Sequence, residues 1–190
     1  MNARANDLAA DIGLDETQTK ALEELGKLIN YNGYGAAVED LHFHPADLYR
    51  ELVKFDSPLN FLAANTSTFQ QLRQGYGQDM AEAQAIQPEH VSDAVAVYSL
   101  PDAAWSRRVS GIFGNQLASE NPDRAHMILS PGKNNTLVVS LRAPLNNPHH
   151  ADEVAKRFPT GGGRKRAAGI NALEPGDVPR LIEIMERTYA

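Results

Sequence analysis

The sequence predicts an α+β fold: a mostly helical segment over residues 1–90, followed by a mixed β-sheet domain flanked by helices over residues 91–190. Three observations predict it. In the first ninety residues, apolar side chains recur at helical spacing and are interrupted by Gly, Pro and Asn turns. Beyond them, short β-rich runs alternate with amphipathic stretches. The charge balance changes at the same place: residues 1–90 carry 6 Lys/Arg against 14 Asp/Glu, and residues 91–190 carry 12 against 10.

Asp15 can cap a helix whose Ala21, Leu22, Leu25, Leu28 and Ile29 form one apolar stripe. Asn30–Gly35 ends it with turn residues. His44-Pro45 opens a second helix, because proline suits the first helical turn, and Asp56-Ser57-Pro58 marks another stop and start. Thr66 or Ser67 caps a longer helix from about Thr68 to Ile86, which Pro88 ends. Ala94–Leu100 reads as a strand and Ala103–Ala118 as an amphipathic helix. Strands at Ala125–Ser130 and Thr136–Arg142 are joined by a Pro-Gly-Lys-Asn-Asn hairpin. Ala151–Phe158 is a short helix, Ala167–Leu173 a strand, and Asp177–Tyr189 a terminal helix.

Composition narrows the function. The chain has 190 residues, a net charge of −6 and no cysteine, so disulfides, thiol nucleophiles and cysteine zinc sites are excluded. No apolar run is long enough to span a bilayer, and Met1–Leu8 has no signal-peptide apolar segment. The expectation is a cytoplasmic protein with no membrane partner. An acidic chain is a poor non-specific binder of duplex DNA, which needs a broad basic surface. The less acidic second half can accept a phosphorylated small molecule or a short single-stranded oligonucleotide locally.

The most informative segment is Gly161-Gly162-Gly163-Arg164-Lys165-Arg166-Ala167-Ala168-Gly169. Residues 156–166 hold five cations and no anion among eleven residues. Three glycines free a backbone to turn its N–H groups toward an anion, and the cations that follow suit a phosphate-contacting loop. Ser140 and Arg142 alternate onto one face of a strand, where a hydroxyl and a guanidinium can grip phosphate. Other groupings point elsewhere. His42/His44 and His149/His150 lack carboxylates at metal spacing and read as caps or surface residues. Tyr31 and Tyr34, set among glycine and asparagine, can stack on a base or pack in the core. Arg107 and Arg108 project in different directions from a helix, so at least one is structural. No hydrolytic motif is found, and His149-His150-Ala151-Asp152 holds the letters of Asp-His-His in the wrong order.

Taken in order, Val139-Ser140-Leu141-Arg142, the Ala151–Phe158 helix, Gly161-Gly162-Gly163 and Ala167-Ala168-Gly169 resemble the C-terminal, DHH-associated domain of the DHH phosphoesterase superfamily. That superfamily includes RecJ-like exonucleases, nano-RNases, and pyrophosphatase and exopolyphosphatase relatives. The resemblance covers about residues 92–190. The family pattern is a strand with Ser-x-Arg, a short helix, Gly-Gly-Gly-Gly-His and, two residues on, Ala-Ala-Gly. Here Thr160 stands in place of the first glycine and Arg164 in place of the histidine. Arginine does not deprotonate and so supplies no proton, but it can bind phosphate.

The resemblance implies substrate binding by Ser140, Arg142, Gly161, Gly162, Gly163, Arg164 and Lys165, and no catalytic or metal-ligating residue in this chain. Mn²⁺ or Mg²⁺ is expected in an N-terminal DHH domain outside it, which would also be a partner, and the helical segment is similar to a family linker. Three alternatives stay open. One is a stand-alone nucleotide or nucleic-acid binding module. Another is an acetyltransferase, a label some relatives carry, for which Arg166-Ala167-Ala168-Gly169 partly fits an acetyl-CoA motif that fails at Asn171. The third concerns assembly: a homodimer formed over apolar surface that an absent partner leaves uncovered.

Overall fold

The computed structural model describes residues 3–190; Met1 and Asn2, where the signal-peptide reading begins, lie outside the described residues. The chain divides into two compact units, Met1–Gln78 and Asp79–Ala190.

The first unit is helical. Its elements are α1 (Ala3–Asp11), α2 (Glu16–Tyr31), α3 (Pro45–Leu52), α4 (Pro58–Ala64) and the first part of α5 (Ser67–Ala85). Asp15 starts α2 through a capping box: its carboxylate accepts from the Gln18 N–H, and the Gln18 side chain accepts from the Asp15 N–H. His44 caps α3 through its ring, which accepts from the Ala46 N–H, with Pro45 in the first turn. Leu25, Leu28, Leu48, Phe61, Phe69 and Leu72 form the core of this unit.

The second unit is built on a six-stranded sheet of order β1-β2-β3-β4-β6-β5. The strands are β1 (His90–Val91), β2 (Val95–Ser99), β3 (Ala125–Pro131), β4 (Leu137–Arg142), β5 (Gly161–Arg164) and β6 (Ala167–Leu173). The β2–β3 pair is parallel, joined through the crossover helix α6 (Ala104–Glu120); the other pairs are antiparallel. The β3–β4 hairpin turns at Asn134 and Asn135, with φ of 54° and 58°, a left-handed conformation that asparagine tolerates.

One face of the sheet carries α7 (Ala151–Ala155) and α8 (Val178–Tyr189) over a core of Val95, Val97, Met127, Leu129, Val139, Leu141, Ile170 and Leu173. Helix α6 packs on the other face, over β3 and β4. Burial of alternate residues explains the pattern: Val139 and Leu141 are almost fully buried, whereas Ser140 and Arg142 between and beside them are half-exposed on the α6 side.

Two expectations change. Helix α7 stops at Ala155, and the chain turns through Phe158, whose N–H bonds the Ala155 carbonyl. More important for function, Gly161–Arg164 is not a loop but the edge strand β5, paired residue by residue with β6. The amide concavity expected of three glycines is therefore replaced by a ladder, and of the three only Gly163 has positive φ, at 146°.

Candidate functional site

Register decides which candidates meet. Residues directly opposite across a ladder share a sheet face. Ser140 pairs with Gly169, which pairs with Gly162; Arg142 pairs with Ala167, which pairs with Arg164. Two rungs thus run from β4 across β6 to β5 on the α6 side of the sheet. One is Ser140–Gly169–Gly162, and the other is Arg142–Ala167–Arg164. Arg142 and Arg164 stand two strand spacings apart, about 10 Å between their strands. Between them the floor is glycine and alanine, and a Cβ added at Gly162 would meet nothing within 4 Å. The result is an open shelf with a small-residue floor and a cation at each side.

The other two glycines face the opposite way and have packing roles. A Cβ at Gly161 would lie 1.7 Å from the Ala155 carbonyl oxygen, because α7 packs directly on β5. At Gly163 a Cβ would come within 2.4 Å of the Ala168 backbone, on top of its positive φ. Thr160 has a structural reason to replace glycine. Its hydroxyl accepts from the Ala172 N–H and donates to the Ala172 carbonyl, extending the β5–β6 pairing past Gly161. Lys165 sits with Arg166 in the exposed two-residue turn between β5 and β6, at the end of the shelf rather than on its floor.

Arg142 is held on several sides. Its Nη1 donates to Ser140 Oγ at 2.9 Å and to the Leu141 carbonyl, its Nε donates to Asn115 Oδ1 at 2.7 Å, and its Nη2 donates to the Gly111 carbonyl at 2.9 Å. Asn115 and Gly111 belong to α6, and sequence reading missed both. They lie 27 and 31 residues from Arg142 and meet it only through the fold. Gly169, quoted only as part of Ala-Ala-Gly, also enters the floor; a Cβ there would press on the Val139 carbonyl at 2.8 Å.

Beside Arg142 on the same face, across the β3–β4 ladder, stands His126, 1% exposed. Burial, reinforced by the Arg124 charge, pushes its pKa down from 6.5 to about 4. It is neutral at pH 7 and adds no cation to the shelf.

The remaining candidates fall into structural roles. Tyr31 is fully buried and hydrogen-bonded to His42 at 2.7 Å, so it is no stacking platform. Arg108 makes a two-pronged, largely buried ion pair with Asp79, and Arg107 pairs with Asp102. Ala167–Gly169 lies in β6, with β4 on one side and β5 on the other. Its backbone amides serve the sheet, unlike the free amides that hold a pyrophosphate. Among the described residues, no cluster of three or more His, Asp or Glu is placed to hold a metal ion. No helix among them is long and apolar enough to cross a membrane.

The fold recurs in solved structures. RecJ from Thermus thermophilus in complex with Mg²⁺ matches with a TM-score of 0.55 and 17% identity, over 87% of this chain and 28% of that one. The same protein in complex with Mn²⁺ gives 0.55 and 17%, over 87% and 26%. PggH from Vibrio cholerae, a pGpG-specific phosphodiesterase, gives 0.58 and 12%, over 77% and 51%. The chain thus spans about a quarter to a half of the length of these relatives. No curated protein matches it. Residues 79–190, the whole sheet unit, match the DHHA1 domain. That match covers more than half of the chain, and the chain belongs to the DHHA1 family, the C-terminal domain of DHH-superfamily phosphoesterases.

Proposed function

We propose that the shelf on β4, β6 and β5 binds the phosphate of a phosphorylated small molecule or short single-stranded oligonucleotide. The chain would be the substrate-binding part of a phosphoesterase whose metal-dependent catalysis is carried by a DHH domain outside it. The observation that carries this reading is the convergence of Ser140, Arg142, Gly162 and Arg164 on one solvent-open sheet face. A glycine floor lets a sugar–phosphate backbone approach the strands closely. Arg142 offers a fixed positive charge, four of whose N–H donors already serve the fold, and Arg164 an exposed guanidinium on the far side. Arg164 binds charge without moving a proton, since arginine stays protonated. When bound in the catalytic domain, Mn²⁺ or Mg²⁺ would supply the activated water; the shelf would orient the phosphate and exclude competing poses.

The test is a titration of the chain with a labelled, 5′-phosphorylated tetranucleotide at low and moderate salt. We expect Arg164→Ala to weaken binding and lower the salt slope by about one unit, as loss of one phosphate contact does. Acetyl-CoA should not compete. Affinity indifferent to Arg164→Ala and Arg142→Ala would overturn the reading. The chain by itself should hydrolyse nothing; Mn²⁺-dependent turnover that follows it through successive columns would also overturn it.

A further inference from the structure

We infer that Asn115, on α6, is a positioning residue for the ligand-binding shelf, setting the orientation of Arg142; the inference rests on the phosphate reading of Arg142 given above. Arginine is long and flexible, and a strand by itself fixes neither its path nor its plane. Here α6 and β4 together fix both. The side chain runs against Gly111 and Gly114: a Cβ at Gly114 would lie in ordinary contact with Arg142 Cγ at 3.5 Å and closer to Ile128 Cδ1 at 3.2 Å, and one at Gly111 would lie 3.6 Å from Nη2. Gly111 and Asn115 are one helical turn apart and face the same way. The first presents a carbonyl to Nη2 and the second Oδ1 to Nε, while Ser140 and the Leu141 carbonyl take Nη1 from the strand side. The guanidinium plane is thus defined from two elements. Asn115 accepts through its side chain and is exposed, so its removal leaves the core intact.

A bound phosphate benefits from an arginine already held in place, because ordering the side chain at the moment of binding subtracts from affinity. Asn115 therefore acts on the ligand through Arg142. A shelf residue that touched the ligand directly would act independently of it.

The experiment is a double-mutant cycle on the full chain, using the labelled 5′-phosphorylated tetranucleotide as probe and the Arg142 Nε–H resonance as a second readout. Arg142→Ala assigns that resonance. Asn115→Ala is expected to shift or broaden it, to leave the thermal midpoint near that of the parent, and to weaken probe binding about fivefold to tenfold. Adding Asn115→Ala to Arg142→Ala should change affinity no further. Independent, additive losses would overturn the inference, as would an unmoved Nε–H signal. If Arg142→Ala weakens binding and Asn115→Ala does not, this inference fails alone. If Arg142→Ala has no effect, or the parent chain binds no probe, the phosphate reading fails and the inference with it.

Discussion

Gly161 and Gly162 are adjacent, identical and in the same strand, yet the sheet uses them in opposite ways. Gly161 faces α7, where no Cβ fits; Gly162 faces open space, where one would meet nothing. The same division runs through the whole unit. On the α7–α8 side, apolar side chains of β2, β3, β4 and β6 close the sheet. On the other, α6 closes β3 and β4 and leaves the β6–β5 end as a shelf. A glycine on the closed side lets backbone elements touch. On the open side it keeps a surface low, and that is the difference between a packing residue and a binding residue.

The largest expected effect breaks the closed side. Gly161→Ala would push a methyl group into the Ala155 carbonyl, with backbone on both sides and nothing flexible to yield. It should cost about 3 kcal/mol or more, seen as a fall in the urea midpoint.

A second test bears on the part of the open side that α6 covers. His126 has its pKa depressed by burial from 6.5 to about 4 in the folded chain. Between these values the unfolded chain binds the proton and the folded chain does not. Stability contributed by the neutral ring is therefore whole above pH 6.5 and is lost as pH falls toward 4. The loss should be on the order of 2–3 kcal/mol, and His126→Leu should remove that part of the pH slope in urea unfolding.

The smallest effect on stability should come from Gly162→Ala, within about 0.5 kcal/mol of the parent. The same substitution raises the shelf floor, so probe affinity should fall while the unfolding midpoint stays. A midpoint that falls as far as for Gly161→Ala would erase the contrast between the two glycines.

Much of this architecture could be read from local signals. Asp15 and His44-Pro45 announced their helices because caps act within one turn, and the Pro-Gly-Lys-Asn-Asn hairpin formed as its turn residues require. Strand β1 was not legible: two residues long, it exists only through pairing with β2. Gly161–Arg164 reads as a loop because glycine has poor strand propensity; β6 beside it and α7 against it override that preference. In the site, Ser140 and Arg142 followed from strand alternation, and Arg164 from charge. That Gly162 shares their face while Gly161 and Gly163 do not depends on register, and Asn115 depends on a helix docking from another part of the chain. Neither is a property of a sequence window.

The placement of α6 also sets an order of assembly. As the crossover between the parallel strands β2 and β3, it is complete before β4 has been synthesised. The α6 surface at Gly111 and Asn115 can therefore exist before Arg142 arrives against it. The β5–β6 hairpin comes later and joins at the rim, where β5 has a neighbour on one side only. The β5 side of the shelf is thus expected to open by hydrogen exchange more readily than β4, with the anchored arginine on the slow-exchanging side. A ligand reaching from Arg142 to Arg164 would tie the edge strand to the interior of the sheet, and its binding should be read out as protection at β5.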